Sequence, residues 1–325
     1  MKPWIVSLFT LVIVAGAAIM WNKNLKAEMF PVERSFNVSY SAAIQDLPQK
    51  AQLVKVWIPL ASSRGGQEII NRTIQAPGEY KITQDKKFGN EMLYFEAKKE
   101  KFSNLEFTIN YETKVNREEF IRSAKEENLK PYLNPSRLMV VNEEVKQRAL
   151  KAVANKKEGF EKARGIFDYV IDHMDYDKQT PGYGKGDTIR ACDIGKGNCT
   201  DFHSLFISMA LAENIPARFK IGLPIPETVE EGQIKGYHCW AEYYDAKQGW
   251  RQVDASEAWK KPEKRDLYFG GIDTSKFLIS VGRDVSLNPS QEGGDVNIFF
   301  YPYVEVDGEP FNDVKTKFSF KNRKQ

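Results

Sequence analysis

Cysteine is scarce in this chain: among 325 residues there are three, Cys192, Cys199 and Cys239, with no CxxC spacing between them. Three are too few for a disulfide framework, and an odd number leaves at least one thiol unpaired under any scheme. Histidine is equally rare, at three residues, so a base for that thiol has few candidates. Net charge is low as well. The 47 basic and 44 acidic side chains nearly cancel to +3, and no Lys/Arg-rich run is long enough to serve as a nucleic-acid footprint, which excludes nucleic acid as a partner. There is no internal repeat and no low-complexity tract.

What is present is ample apolar material, 42% of residues, enough to bury a core across two or three packed units. Lys2 is followed by an uncharged run over residues 4–21. A run that is apolar all round marks an exported chain, periplasmic or on the outer face of the cytoplasmic membrane. Small residues at Ala15 and Ala17, or Ala27, favour a cleaved signal. A run at the lower limit for a bilayer span leaves an uncleaved anchor as the alternative, with the membrane then a partner. Residues 1–28 are assigned to this segment.

Residues 36–40, 54–59, 91–97 and 105–113 are β-branched or aromatic stretches bounded by polar or Gly-containing turns, which predicts a β-sandwich over 32–116. Beyond Arg117 the period changes. Val145, Ala149 and Ala152, then Phe160, Ala163, Ile166, Phe167 and Val170, fall at helical spacing, which predicts helices over 142–154 and 158–174. A loop rich in Gly, Asp and Lys precedes a third helix over 199–213, stopped by Asn214, Ile215 and Pro216. Strands are expected at 217–221, 237–244 and 250–255. The tail from Lys261, with apolar stretches at 277–281 and 296–303, is expected to add strands to the same unit. The fold class is α+β: an N-terminal all-β sandwich, then a catalytic domain over 117–325 with its motif core at 141–259.

The chemistry centres on Cys199. Asn198 can cap the third helix and Asp201 favours its positive end, so Cys199 is its first residue, beside backbone N–H groups with no helical acceptor. A free thiol has a pKa of about 8.5, and a helix N-terminus with a neighbouring imidazolium can bring it to roughly 3.5–7.5. His238 lies in a predicted strand. If 244–248 form a hairpin turn, residue pairs sum to 492 and His238 faces Asp254 directly, with Cβ atoms about 5 Å apart. The carboxylate can then orient the imidazole and stabilise its charged form. The inference depends on register. The Cys199 N–H is the natural oxyanion donor, with Tyr176 and Trp240 as candidates for a second.

Four ordered segments carry a family resemblance: Gly197-Asn198-Cys199-Thr200-Asp201-Phe202, Ile215-Pro216-Ala217-Arg218, Gly236-Tyr237-His238-Cys239-Trp240-Ala241-Glu242 and Gly249-Trp250-Arg251-Gln252-Val253-Asp254. Together they resemble the bacterial transglutaminase-like superfamily, with a Cys at a helix start, a His followed by Trp-x-Glu on a strand, and an Asp after a Gly-Trp hairpin. Asp85-Lys86-Lys87-Phe88-Gly89-Asn90, in its strand-rich setting, resembles the β-sandwich found ahead of bacterial members. The resemblance implies a papain-like core, a helix bearing the Cys packed on an antiparallel sheet, with no metal or organic cofactor. Family members crosslink glutamine to amines, hydrolyse peptide or amide bonds, or have become scaffolds. A Cys199–His238–Asp254 triad acting on a protein or peptide substrate is therefore the expectation, with hydrolysis favoured over transamidation and a non-catalytic peptide-binding scaffold as the alternative.

Of the other polar residues, His203, four positions after Cys199, is expected at the cleft rim or hydrogen-bonded within its helix. A zinc site of Cys199, His203, His238 and Cys239 is disfavoured because His238 and Cys239, adjacent on a strand, should point to opposite faces. Cys192 and Cys239 read as bystanders, His173 as solvated, and Arg283 and Asp284 as braces for a loop near the site.

Overall fold

The computed structural model describes residues 30–98, 104–125 and 128–323; the segment read as a signal or anchor lies outside them. Among the described residues no helix is long and apolar enough to cross a membrane.

In chain order the N-terminal strands are β1 (Glu33–Ile44), β2 (Leu53–Leu60), β3 (Gln67–Gln75), β4 (Tyr80–Gln84), β5 (Glu91–Lys98) and β6 (Leu105–Asn116). Helices α1 (Arg117–Arg122), α2 (Glu143–Ala152) and α3 (Gly159–His173) follow. Next come β7 (Asp175–Tyr176), α4 (Thr188–Ile194), β8 (Lys196–Gly197), α5 (Cys199–Ala212), β9 (Ala217–Pro224) and β10 (Glu231–Ile234). The hairpin β11 (His238–Asp245) and β12 (Gly249–Val253), α6 (Ala255–Lys260) and β13 (Lys276–Val281) complete the central region. The chain closes with β14 (Tyr303–Val306), β15 (Glu309–Pro310) and β16 (Val314–Asn322).

The N-terminal strands build two five-stranded sheets, ordered β10-β16-β1-β6-β3 and β15-β14-β2-β5-β4. Phe36, Val38, Tyr40, Ala42 and Ile44 alternate along β1 with Asn37, Ser39, Ser41 and Ala43, and face Val54, Val56, Ile58 and Phe95 of the second sheet in one core, the pattern of a sandwich. The tail was expected to extend the catalytic unit, and in part it does not. β13 pairs with β9, whereas β14 pairs with β2 and β16 with β1. The alternation in the tail reports a half-buried strand and carries no information on which sheet receives it.

The central sheet is antiparallel, ordered β12-β11-β9-β13. One face packs on α5, with Cys239, Ala241 and Tyr243 in the same core as Phe202, Phe206 and Met209. The other face meets the sandwich through Trp240, Trp250, Trp57, Met92 and Phe120. Covered on both sides, β11 is buried at seven of its eight positions. Buried from Cys199 to Leu211, α5 forms the centre of the molecule. Its apolar or small residues all round suit that place.

Two side-chain amides from the sandwich close the edge of the central sheet. Gln67 and Asn90 each exchange a pair of hydrogen bonds with the β13 backbone, at Leu278 and at Val281 (2.7–3.0 Å). They flank a β-bulge between Leu278 and Ser280. Asn90 is held there by Asp85, whose carboxylate accepts from the Lys87, Phe88 and Asn90 N–H groups. The six-residue turn thus docks the sandwich on the sheet that carries the site.

Candidate active site

Asn198 caps α5. Its side chain accepts from the Thr200 N–H at 2.8 Å, while the Asp201 carboxylate accepts from the Asn198 N–H at 2.9 Å, a reciprocal capping box. Asp201 is fully buried and accepts two more backbone donors, Gly184 N–H (2.7 Å) and Gly186 N–H (3.0 Å). The Gly-rich loop is thereby tied to the turn that presents Cys199. Arg283 braces the same loop from beneath, donating to the Lys185 carbonyl and to Ser204 Oγ, both at 2.8 Å.

His238 and Asp254 meet at 2.6 Å, through Nε2 and Oδ2, but not in the register expected. The hairpin pairs Asp245 with Gly249, Tyr244 with Trp250 and Ala241 with Val253, a shift of two residues. Asp245 Oδ1 accepts from the Lys247 and Gln248 N–H groups (2.8 Å each), which pulls Asp245 into the turn. Gly249 then takes φ +81°, and a Cβ there would lie 2.4 Å from the Ala124 carbonyl. A shift of two keeps every side chain on its face. His238 and Asp254 therefore stay on one side of the sheet as diagonal neighbours, brought together because Asp254 leaves the strand to cap α6, accepting from Glu257 N–H at 3.0 Å.

Cys199, His238 and Asp254 are all buried. The Cys199 thiol hydrogen-bonds both Cys239 and His238. The bond from Cys239 and the adjacent imidazolium outweigh burial and hold the Cys199 pKa well below that of an ordinary thiol. For His238, burial alone would lower the pKa, but the Asp254 charge and the bonds to Asp254 and Cys199 raise it to about 10. Asp254 is held well below the carboxylate range: burial opposes this, and His238 and Lys276 overcome it. Both shifts favour the charged pair, thiolate and imidazolium. With Nε2 committed to Asp254, Nδ1 is the nitrogen left to serve the sulfur.

Two contributors were not legible beforehand. Lys276, on β13 and buried, places Nζ 2.8 Å from Asp254 Oδ2 and 5.3 Å from the Trp240 ring. Cys239 is a hydrogen-bond partner of Cys199 rather than a bystander. Burial and the Cys199 charge raise its pKa well above the thiol value, so it stays protonated and donates. Both His238 and Cys239 reach Cys199, contrary to strict alternation, because His238 is the first residue of β11, at the end of the sheet.

His203 is fully buried and offers substrate no surface, so the rim position does not hold. Its Nδ1–H donates to the Cys199 carbonyl at 2.7 Å, and its Nε2 accepts from the Ala255 N–H at 3.1 Å. Burial lowers its pKa to about 4, so a neutral ring ties the start of α5 to the start of α6. Trp240 lies on the sandwich side of the sheet with its indole N–H buried and unpartnered. Tyr176 is half-buried and pairs through β7 with Gly197 of β8; burial raises its phenol pKa. Its ring lines a cleft of about 710 Å³ shared with His238, Tyr237 and Lys276. Tyr237, part of the His238 motif but given no role from it, bonds Asn198 Nδ2 (3.2 Å) and Thr200 Oγ1 (3.3 Å). His173 is not simply solvated: its Nε2 lies 3.1 Å from the Cys192 carbonyl. Among the described residues, no group of three or more His, Cys, Asp or Glu is arranged to hold a metal ion.

A cysteine at the start of a central helix, packed on an antiparallel sheet, is the fold of papain-like cysteine enzymes, a scaffold for thiol-dependent acyl transfer. Residues 146–255 match the model of the Transglutaminase-like superfamily, so this part of the chain is a transglutaminase-like domain, and a β-rich domain precedes it. An uncharacterized protein of Haemophilus influenzae is 27% identical over 344 residues, covering 91% of this chain and 90% of its own length. The crystal structure of a candidate cysteine protease from Cytophaga hutchinsonii shares the fold at 12% identity and a TM-score of 0.61, covering 90% of this chain and 98% of that one. The periplasmic domain of TgpA from Pseudomonas aeruginosa is a more distant likeness (15% identity, TM-score 0.37, 72% and 91% covered).

Proposed function

We propose that the protein hydrolyses amide bonds of a protein or peptide substrate through a Cys199–His238–Asp254 triad. The supporting observation is the buried chain of hydrogen bonds from the Cys199 thiol through His238 to Asp254. The Cys199 thiolate attacks the carbonyl carbon, and the new oxyanion accepts from the Cys199 N–H, which has no helical acceptor. As the C–N bond breaks, the His238 imidazolium passes its proton to the departing amine, leaving a thioester on Cys199. His238 then takes a proton from water, a C–O bond replaces the C–S bond, and the acid leaves. Solvent reaches His238 along the cleft, which favours water over a second amine as the acyl acceptor. The uncharged run at residues 4–21 supports an exported location for this activity.

The test is the pH dependence of Cys199 alkylation by iodoacetamide in the full chain, followed by a glutamine-peptide assay with and without a labelled amine. Reaction at pH 6 that is lost in His238→Ala and Asp254→Asn, with release of free acid, is the expected result. A midpoint near 8.5 in all three proteins would mark an ordinary thiol and a binding scaffold. Amine incorporation would make the protein a crosslinker.

A further inference from the structure

Positive charge is concentrated in the cleft. Over the whole chain basic and acidic residues nearly balance, yet Lys178, Lys235, Lys260, Lys261, Lys264 and Lys276 all line this one groove beside His238. The acids that share it are Glu227, Glu257 and Asp273, and each has a cation close by. Glu257 binds both Lys260 (2.8 Å) and Lys261 (3.0 Å). Asp273 lies 3.7 Å from Lys276, and both Asp273 and Glu227 act on Arg34. Lys178, Lys235 and Lys264 are exposed and have no carboxylate partner among the described residues.

The placement of these ammonium groups is directional. Lys260 sits 3.9 Å over the face of Tyr176 and Lys178 5.9 Å from the same ring. Tyr176 in turn pairs with Gly197, two residues before the nucleophile. A cation held on an aromatic face keeps its position, and a cleft lined by one sign of charge concentrates ligands of the other sign. Fixed positive charge therefore stands on the wall of the cleft that reaches His238, the partner of Cys199.

Resting on the triad reading above, we propose that the acyl donor is an anionic peptide, with carboxylates flanking the amide that Cys199 attacks. Lys178, Lys235 and Lys264 draw those carboxylates in, and Lys260 fixes one of them over Tyr176. A neutral or basic peptide gains nothing from these groups and, if basic, is repelled.

Charge selectivity can be read without knowing the substrate. The rates at which iodoacetate and iodoacetamide alkylate Cys199 in the full chain, located by peptide mass spectrometry at pH 7, give a ratio that reports the field at the sulfur. That ratio is normalised to the same two reagents on a free thiol. The expected wild-type ratio exceeds one, falls as salt is raised from about 20 mM to about 500 mM, and drops roughly five- to tenfold in Lys178→Gln/Lys235→Gln/Lys264→Gln. A ratio identical in wild type and the triple variant overturns the proposal. Should neither reagent react below pH 8, it is the triad reading that fails, so the two failures are distinct. A second measurement compares kcat/KM for amide peptides with acidic, neutral and basic flanks. Preference for the acidic series, lost in the triple variant, supports the proposal; an equal or reversed preference overturns it.

Discussion

Two buried carboxylates on the β11–β12 hairpin and its exit are each flanked by two basic side chains, and they differ in what those side chains face. Glu242 is fully buried on the sandwich side, with Lys220 Nζ at 2.5 Å and Arg218 Nε at 2.6 Å. The Arg218 guanidinium lies 3.9 Å over Trp250 and Lys220 Nζ 5.5 Å from the Phe120 ring, so the group closes upon itself in an aromatic enclosure. Asp254, at the other end, binds Lys276 and His238, and His238 also reaches a sulfur. In one place the same device, a buried anion between two cations, neutralises charge on the face of the central sheet that meets the sandwich. In the other it holds the His238 imidazole beside the Cys199 sulfur.

The comparison is broken most severely at Asp254. Asp254→Asn leaves the imidazole without its anionic partner, and an expected loss of roughly 10³–10⁴-fold in turnover, checked by steady-state rates with an amide substrate, follows from the orienting role. Glu242→Ala should act on stability instead. Removing the buried carboxylate that Lys220 and Arg218 share costs about 3–5 kcal/mol, readable as a shift in the urea midpoint, with the pH dependence of Cys199 alkylation unmoved in the protein that remains folded.

Smaller changes sharpen the contrast. Cys239→Ala removes a donor to the thiolate, so the Cys199 titration midpoint should rise by about one unit, while Cys239→Ser restores part of the shift; alkylation against pH measures both. Lys276→Met takes away a positive neighbour of the imidazolium, and the alkaline limb of activity should move up by up to about one unit. The sign follows from His238. Its folded pKa is raised, so its contribution to stability is complete below about 6.5 and is lost as pH climbs through about 10. In Lys276→Met that loss should begin at higher pH, as followed by thermal melts between pH 8 and 11.

Much of this architecture was legible from local signals. α2 and α3 follow the 3.6-residue period, and Asn198 marks the start of α5 because capping is a property of neighbouring residues. β3 and β4 were not, since Gln67–Gln75 and Tyr80–Gln84 are mostly exposed and polar and lack the alternation of a half-buried strand. The Asp254–His238 contact was inferred from a register two residues off, and same-face geometry tolerated that error. Asp245 drawing Lys247 and Gln248 into its turn is the signal that corrects it. Lys276 had no such signal: β13 pairs with β9, not with the hairpin, so only the assembled sheet brings its amine to Asp254. Cys239 was misplaced by a pleat rule that does not bind the first residue of a strand.

The pairing of β1 with β16 also sets an order of events. Phe36 lies opposite Asn322 and Ile44 opposite Val314, so the strand made first in the described chain waits for the strand made last. At synthesis rates of about 5–20 residues per second, some 280 residues take roughly a quarter of a minute to a minute. Once β6 is made, β1 has it on one side and an open edge on the other until β16 follows. The catalytic region, made in between, can gather around α5 while its platform is still incomplete. Maturation of the active site and closure of the sandwich are therefore separable in time, with residues near 322 as the final clasp.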